Sequence, residues 1–284
     1  MTGKTLDTAS LDWPATDWEA QYNNRAAVPD HPAVMARWKA DAEAARAAHP
    51  PLALAYGPGE REVIDLFEAA PTEGSGAPVV VFIHGGYWQA LDPSWFSWIA
   101  PALLAHGVSV AIPGYDLCPD VRLGRIITQM RQATDLLRAR TGARPVVTGH
   151  SAGGHLAACM LSEGRAAAAV AISGVFDLAP LIPTSLNAAL RLDAHEAAAL
   201  SPVHWPAPTG GARGGTVLDC VVGADETPEF LRQSRAMVEL WASKGATTRF
   251  EALDGLNHFT VLDPLADADS TLVRRIVALA RGAA

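Results

Sequence analysis

Short apolar runs alternate regularly with longer segments of helical pattern, and this alternation limits the possible folds more than any other feature. The runs are apolar on both faces, which is typical of strands in a parallel sheet covered by helices on both sides. The sequence therefore predicts an α/β fold with a mostly parallel central sheet. The predicted strands are 79–83, 108–112, 146–148, 167–173, 217–222 and 248–253, and the predicted helices include 94–105, 123–140, 228–244 and 270–280.

Different patterns precede this alternation. Leu52 to Tyr56 and Glu62 to Phe67 flank a Gly-Pro-Gly turn and predict an antiparallel hairpin. Before them, a helix is predicted to begin near Asp30, where an acid and an early proline favour a helix start. We therefore expect an N-terminal extension over residues 1–50 that packs over one large α/β domain at residues 51–284.

The composition argues against several classes of protein. The net charge of −8 is spread along the chain without blocks, which gives no footprint for nucleic acid or anionic lipid. The first ten residues lack the apolar stretch of a secretory signal, and no later run reaches membrane-spanning length. Cys118, Cys159 and Cys220 are scattered without CxxC spacing, which predicts buried, reduced thiols. We expect a cytoplasmic protein.

The pentapeptide Gly149-His-Ser-Ala-Gly153 stands between a predicted strand and a predicted helix. A strand-to-helix turn of this kind crowds its flanks, so glycines suit positions 149 and 153, and it exposes the hydroxyl of Ser151. A Gly/Ser-rich loop could match five residues by chance, so the interpretation depends on partners elsewhere in the chain. We predict that Ser151 is a nucleophile that attacks a carbonyl carbon.

A serine nucleophile needs a histidine to take its proton and an acid to orient that histidine. His258 follows the last predicted strand, as the chain order Ser, acid, His requires. Two neighbouring carboxylates, Asp225 and Glu226, follow the strand that ends at Gly223. The position three residues beyond that glycine favours Glu226 as the acid, with Asp225 as the alternative. A third carboxylate, Asp177, is expected to cap the segment after it.

The negative charge of a tetrahedral intermediate needs hydrogen-bond donors. His84-Gly-Gly-Tyr-Trp88 follows a predicted strand, where loops with paired glycines supply backbone N–H groups. The predicted oxyanion donors are the N–H groups of Gly85, Gly86 and Ala152. His84 is expected to be a structural hydrogen-bonding residue, and no metal or other cofactor is expected.

Aromatic residues cluster around the same loops. Tyr87 and Trp88 belong to the predicted oxyanion loop, and Phe259 is next to His258. Aromatic residues at this density are also typical of a core. We expect these three to contact substrate, where they would suit a group with a flat ring.

Further motifs extend over nearly the whole chain. They are Tyr22-Asn-Asn-Arg25, His84-Gly-Gly-Tyr-Trp88, Tyr115-Asp-Leu-Cys-Pro119, Gly149-His-Ser-Ala-Gly-Gly154, Ser173-Gly-Val-Phe-Asp-Leu178, Glu226-Thr-Pro-Glu-Phe-Leu-Arg-Gln-Ser234 and His258-Phe259. With them the chain resembles the kynurenine formamidase (arylformamidase) branch of the α/β-hydrolase superfamily, related to hormone-sensitive-lipase-like esterases. The resemblance implies the α/β-hydrolase fold and an acid at Glu226, where the family's more familiar residue is Asp.

The resemblance also implies an activity, the hydrolysis of N-formyl-L-kynurenine to L-kynurenine and formate in tryptophan breakdown. A carboxylesterase of broad range with the same three residues is the alternative. A non-catalytic α/β-hydrolase scaffold is a third hypothesis, against which the complete Ser, acid and His set argues. The expected partner is a small-molecule substrate, and neither nucleic acid nor a membrane is expected. A homodimer is left open.

Overall fold

The computed structural model describes residues 16–70, 77–208 and 217–283. The first fifteen residues of the predicted N-terminal extension and most of the loop before the first parallel strand lie outside this part. The described strands are β1 (Leu52–Ala55), β2 (Val63–Phe67), β3 (Val79–Ile83), β4 (Ser109–Pro113), β5 (Val146–His150), β6 (Ala168–Ile172), β7 (Val217–Gly223) and β8 (Thr247–Leu253).

The strands form one sheet of eight, in the order β1-β2-β4-β3-β5-β6-β7-β8. Strands β3 to β8 pair in parallel, while β1 pairs with β2 and β2 with β4 in antiparallel fashion. The predicted α/β fold with an N-terminal hairpin is therefore confirmed. Because β5, β6, β7 and β8 are in register near their carboxyl ends, the loops that follow them leave the same edge of the sheet.

Helices cover both faces of this sheet. They are α1 (Trp18–Tyr22), α2 (Asn24–Ala27), α3 (His31–Ala48), α4 (Ala100–Leu104), α5 (Leu123–Thr141), α6 (Ala152–Ser162), α7 (Asn187–Leu190), α8 (Ala194–Leu200), α9 (Pro228–Ser243) and α10 (Thr271–Ala283). Short 3₁₀ helices lie at Pro93–Ile99, Ala179–Leu181, Pro202–His204 and Thr260–Ala266. Among the described helices, none combines the length and the apolar character needed to cross a membrane.

The helix predicted over 94–105 is divided in two. A 3₁₀ helix over Pro93–Ile99 precedes α4, and Ala100 N–H donates to Ser97 O in the tighter 3₁₀ pattern. Pro101 has no N–H with which to continue an α-helix from the preceding turn. A proline in the second turn therefore explains why one predicted helix becomes two elements.

Alternate residues of the central strands enter two separate cores. Val81 and Ile83 pack in a layer with α5, α6 and α9, whereas Val80 and Phe82 pack in a layer with α3 and α10. The apolar runs are thus explained by burial on both faces. The N-terminal helices contribute to both layers, since Trp18 lies in the first and Trp38 in the second.

Candidate active site

Ser151 lies in the turn between β5 and α6. Its backbone has φ +56° and ψ −116°, which a residue with a side chain adopts only under constraint. A Cβ on Gly153 would lie 1.9 Å from Ile83 O, and a Cβ on Gly149 would lie 2.2 Å from Gly153 O. Both flanking positions therefore require glycine. Ala152 begins α6, so its N–H has no partner within the helix.

The loop after β3 approaches this turn closely. Ile83 and Gly149 are register partners, so the two loops leave the sheet side by side. A Cβ on Gly85 would lie 3.1 Å from Ser151 Cβ and 3.0 Å from two atoms of His150. The absence of a side chain on Gly85 lets the loop backbone come this near to Ser151.

Tyr87 anchors the same loop to the N-terminal segment. Its hydroxyl donates to Tyr22 O at 2.8 Å and accepts from Asn24 Nδ2 at 3.1 Å. Tyr87 and Trp88 both have positive φ, at +50° and +56°. Bulky residues hold this conformation only when surrounding contacts fix it. The shape of the predicted oxyanion loop therefore depends on residues far away in the sequence.

A hydrogen bond joins Glu226 to His258. His258 Nδ1 lies 2.6 Å from Glu226 Oε2, and the two side chains are 7% and 0% exposed. The other carboxylate oxygen, Oε1, accepts from Ser173 Oγ at 2.5 Å and from Gly223 N–H at 2.7 Å. Asp225 is exposed. Of the two neighbouring carboxylates, the structure brings Glu226 to the histidine and leaves Asp225 in solvent.

The contact with Glu226 determines which nitrogen of His258 carries the hydrogen. A carboxylate accepts but does not donate, so Nδ1 is protonated and Nε2 remains to accept a proton. The ring centroid lies 4.4 Å from that of Phe230 and 4.7 Å from that of His150. These contacts restrain the orientation of the imidazole.

His150, directly before Ser151, lines the pocket although no pattern in the sequence singles it out. Its Nε2 lies 2.8 Å from His258 O and donates to it, since a carbonyl only accepts. Burial, and secondly the neighbouring His258, hold the pKa of His150 well below its usual value. A neutral His150 thus connects the His258 loop to the turn at Ser151. Its position before Ser151 was the available signal, but its partner is remote in the sequence.

The other residues considered from the sequence have structural contacts. Asp177 Oδ1 accepts the Ala179 N–H at 3.1 Å, a local bond at the start of the following 3₁₀ turn. The N-cap of that turn is Leu178, so the expectation that Asp177 caps it is wrong. His84 Nδ1 lies 2.8 Å from Gly85 O. Burial lowers the pKa of both His84 and His155 to about 4, which keeps the two rings neutral near pH 7.

Ser151 and His258 line one pocket of about 380 Å³, together with Gly86 and His150. Much of the remaining wall comes from the N-terminal segment at residues 19–38. The lining residues from that segment are Glu19, Tyr22, Asn23, Asn24, Arg25, Met35 and Trp38. The segment therefore contributes directly to the pocket, which the sequence analysis did not anticipate.

Two of the three aromatic residues expected to contact substrate, Tyr87 and Phe259, line the pocket. Trp88 is a correction to that expectation. It is fully buried, and its ring packs edge to face on His155 with 5.0 Å between centroids. A ring of this size is stabilised by burial in the core layer behind the loop, so attachment to the loop does not bring it into the pocket.

Two charged side chains also line the pocket. Glu19 accepts hydrogen bonds from Ser185 N–H and Ser185 Oγ, both at 2.7 Å, and these bonds lower the pKa of its carboxyl group. Arg25 is exposed at the same pocket and carries a permanent positive charge. The pocket wall therefore offers a ligand both an anion and a cation.

A buried polar network attaches α1 to α9, the helix that follows Glu226. Tyr22 Oη donates to Glu229 Oε1 at 2.9 Å and accepts from Gln233 Nε2 at 2.6 Å. Arg232 Nε donates to Glu229 Oε2 at 2.7 Å, which pairs the buried carboxylate with a cation. Through this network the pocket wall and the helix after the candidate acid are held as one unit.

Comparisons with known proteins agree with this architecture. Residues 80–204 match a family of the alpha/beta hydrolase fold. The chain is 31% identical over 237 residues to kynurenine formamidase of Drosophila melanogaster, covering 78% of each chain, and 29% identical over 238 residues to that of Salmo salar, covering 80% of each. A crystal structure of a candidate thioesterase from Silicibacter sp. TM1040 is 36% identical with a TM-score of 0.81, over 92% of this chain and 99% of that chain.

Proposed function

This chain belongs to the kynurenine formamidase family of α/β hydrolases, and on that premise we propose that it hydrolyses the formyl amide of N-formyl-L-kynurenine to L-kynurenine and formate. One observation carries the proposal. His258, joined at 2.6 Å to the buried carboxylate of Glu226, lines the same pocket as a serine at a strand-to-helix turn. That arrangement suits acyl transfer through a covalent intermediate.

In the first half of the proposed reaction, the proton of Ser151 Oγ moves to His258 Nε2 as Oγ bonds to the formyl carbon. The electron pair of the C=O double bond moves onto the oxygen, which becomes an oxyanion. The Glu226 carboxylate stabilises the imidazolium that forms, because it already accepts the hydrogen of Nδ1.

The N–H groups of Gly85, Gly86 and Ala152 are the proposed donors to the oxyanion. Removal of one such donor costs about 3 to 4 kcal/mol of transition-state stabilisation in comparable sites. The tetrahedral intermediate then collapses as the C–N bond breaks, and His258 gives its proton to the departing aromatic amine.

In the second half, His258 takes a proton from water as the water oxygen attacks the formyl group on Ser151. The second intermediate collapses as the bond between its carbon and Ser151 Oγ breaks, and His258 returns its proton to Oγ. The formic acid that leaves gives up its remaining proton to water and becomes formate. A formyl group leaves little acyl part to bind, so most of the pocket would hold the amine product. The aromatic side chains of Tyr87, Phe96 and Phe259 suit its ring, while Glu19 and Arg25 suit an ammonium and a carboxylate.

Ester or thioester hydrolysis is the second candidate, favoured by the 36% identity to the candidate thioesterase. The same three residues would cleave either bond, since both reactions pass through tetrahedral intermediates. Parallel turnover of N-formyl-L-kynurenine and p-nitrophenyl acetate, with Ser151→Ala as the control, tests the two proposals. We expect formamide turnover that Ser151→Ala abolishes. Turnover of the ester alone would overturn the formamidase proposal, and full activity in Ser151→Ala would overturn the proposed triad.

A further inference from the structure

We propose that Ser173 is a positioning residue that holds the carboxylate of Glu226 for catalysis, a role that rests on the triad proposed above. Ser173 follows directly after β6 and is fully buried. Its hydroxyl donates to Glu226 Oε1 at 2.5 Å, whereas His258 contacts the other oxygen of the same carboxylate. The hydroxyl of Ser173 therefore acts on the acid, and its described hydrogen bond goes to Glu226 rather than to His258 or Ser151.

The backbone at Ser173 is in an unfavourable conformation, with φ +49°. Residues other than glycine are uncommon at positive φ, and those present are held by their surroundings, often at functional sites. Glycine would adopt this backbone more easily, yet serine stands here and supplies a hydroxyl to Glu226. The side chain thus has a use that offsets the strain.

The same turn also supports the nucleophile. Ile172 O accepts the Ser151 N–H at 2.8 Å, and Ser173 N–H donates to Val221 O at 2.7 Å. At the end of β6, Ile172 therefore bonds to the backbone of Ser151, and the next residue, Ser173, bonds to the carboxylate of Glu226. A displacement at this turn would alter the distance between the two.

A glutamate gives particular importance to this hydrogen bond. Its side chain has one more rotatable bond than that of aspartate, so its carboxylate has more orientations to be restricted. Ser173 Oγ and Gly223 N–H hold Oε1 from two neighbouring strands, at 2.5 and 2.7 Å. With Oε1 held, Oε2 is directed at His258 Nδ1.

A matched pair of variants separates positioning from a structural role. Ser173→Ala and Ser173→Gly both lose the hydroxyl, but only glycine relieves the positive φ, so we expect the glycine variant to have the higher Tm. We expect kcat to fall by about 10- to 100-fold in both. We expect KM to stay within about twofold, because Ser173 is not among the described residues that line the pocket. If Ser173 were merely structural, activity would follow Tm, and a glycine variant with wild-type kcat would overturn the proposal.

A double-mutant cycle tests whether Ser173 acts through Glu226. Glu226→Asp shortens the acid so that its carboxylate no longer reaches the Ser173 hydroxyl, and Ser173→Ala should then lower kcat less than about twofold further. A full loss from Ser173→Ala in the Glu226→Asp background would overturn the proposal. Ser151→Ala, assayed on the same substrate, separates the two levels of inference. If Ser151→Ala stays active, the triad itself is overturned. If Ser151→Ala is inactive but Ser173→Gly keeps the wild-type kcat, only the role of Ser173 is overturned.

Discussion

Replacement of Glu226 by glutamine is expected to lower kcat about 10⁴-fold while the fold is kept. Glutamine has the same shape, but one of its two terminal atoms becomes an NH₂ group that only donates. In the wild type, Oε1 accepts the Gly223 N–H at 2.7 Å. Because this N–H group also only donates, the NH₂ group of glutamine cannot occupy the Oε1 position. The amide oxygen therefore takes the Oε1 position, and the NH₂ group faces His258 Nδ1.

This arrangement reverses the tautomer of His258. Nδ1 must accept from the NH₂ group, so the hydrogen moves to Nε2, which then cannot take the proton of Ser151. The wrong tautomer costs about 10⁴ in kcat in a comparable Ser-His-Asp site. At about 1.4 kcal/mol per factor of ten, the loss is about 5 kcal/mol of transition-state stabilisation.

The assay compares kcat and KM of the wild type, Glu226→Gln and the matched control Asp225→Asn on one substrate, with thermal unfolding to verify the fold. Asp225 is exposed beside the same turn, so its variant should stay within about twofold of the wild type. A folded Glu226→Gln variant with more than about a tenth of wild-type kcat would refute the reasoning. A larger loss in Asp225→Asn would move the acid to that residue.

Three further predictions follow from particular contacts. Arg25→Gln should raise KM for N-formyl-L-kynurenine about tenfold and leave KM for p-nitrophenyl acetate unchanged, because the ester has no carboxylate for the guanidinium to bind. Equal changes in the two KM values would contradict a role of Arg25 in binding the substrate carboxylate. Gly85→Ala should lower kcat about 100-fold, since its Cβ would lie 3.0 Å from His150 atoms and displace the loop, whereas Gly124→Ala, with open space around it, should leave kcat unchanged. Burial lowers the pKa of His155 from 6.5 for the free side chain to about 4 in the fold. The neutral ring therefore makes its full contribution to the free energy of unfolding above about pH 6.5. This contribution, up to about 3 kcal/mol, is lost as the pH falls towards 4. Denaturant titrations at several pH values should show that the free energy of unfolding falls less steeply with decreasing pH in His155→Gln than in the wild type. The same pH dependence in both proteins would contradict this assignment.

Much of the fold was predictable because its signals are local. Burial on both faces makes β3 to β8 apolar throughout, and each of these strands lies within two residues of its predicted bounds. Gly149 is required by its own turn, since a Cβ there would meet Gly153 O, whereas Gly153 is required by a distant strand, since a Cβ there would meet Ile83 O. Glu226 and His258 could be chosen because a parallel sheet brings the loops after its strands to one edge.

Trp88 and Tyr87 show where local reasoning ends. They are adjacent on one loop with similar positive φ, yet Tyr87 lines the pocket and Trp88 is buried against His155. The sequence indicates that both rings are near the site but not which ring faces the pocket and which is buried in the core. That choice depends on the partners brought by distant segments, Tyr22 and Asn24 for one ring and α6 for the other.

The sequence by itself determined the strand pattern, the strand-to-helix turn at Ser151 and the chain order of the three proposed catalytic residues. Only the tertiary structure decided that residues 19–38 form part of the pocket wall, that His150 bonds to the His258 loop and that Ser173 bonds to the Glu226 carboxylate. Secondary structure and sharp turns are set by interactions between near neighbours in the chain. A pocket wall and a hydrogen bond to a carboxylate 53 positions away depend instead on long-range packing, which no single segment encodes.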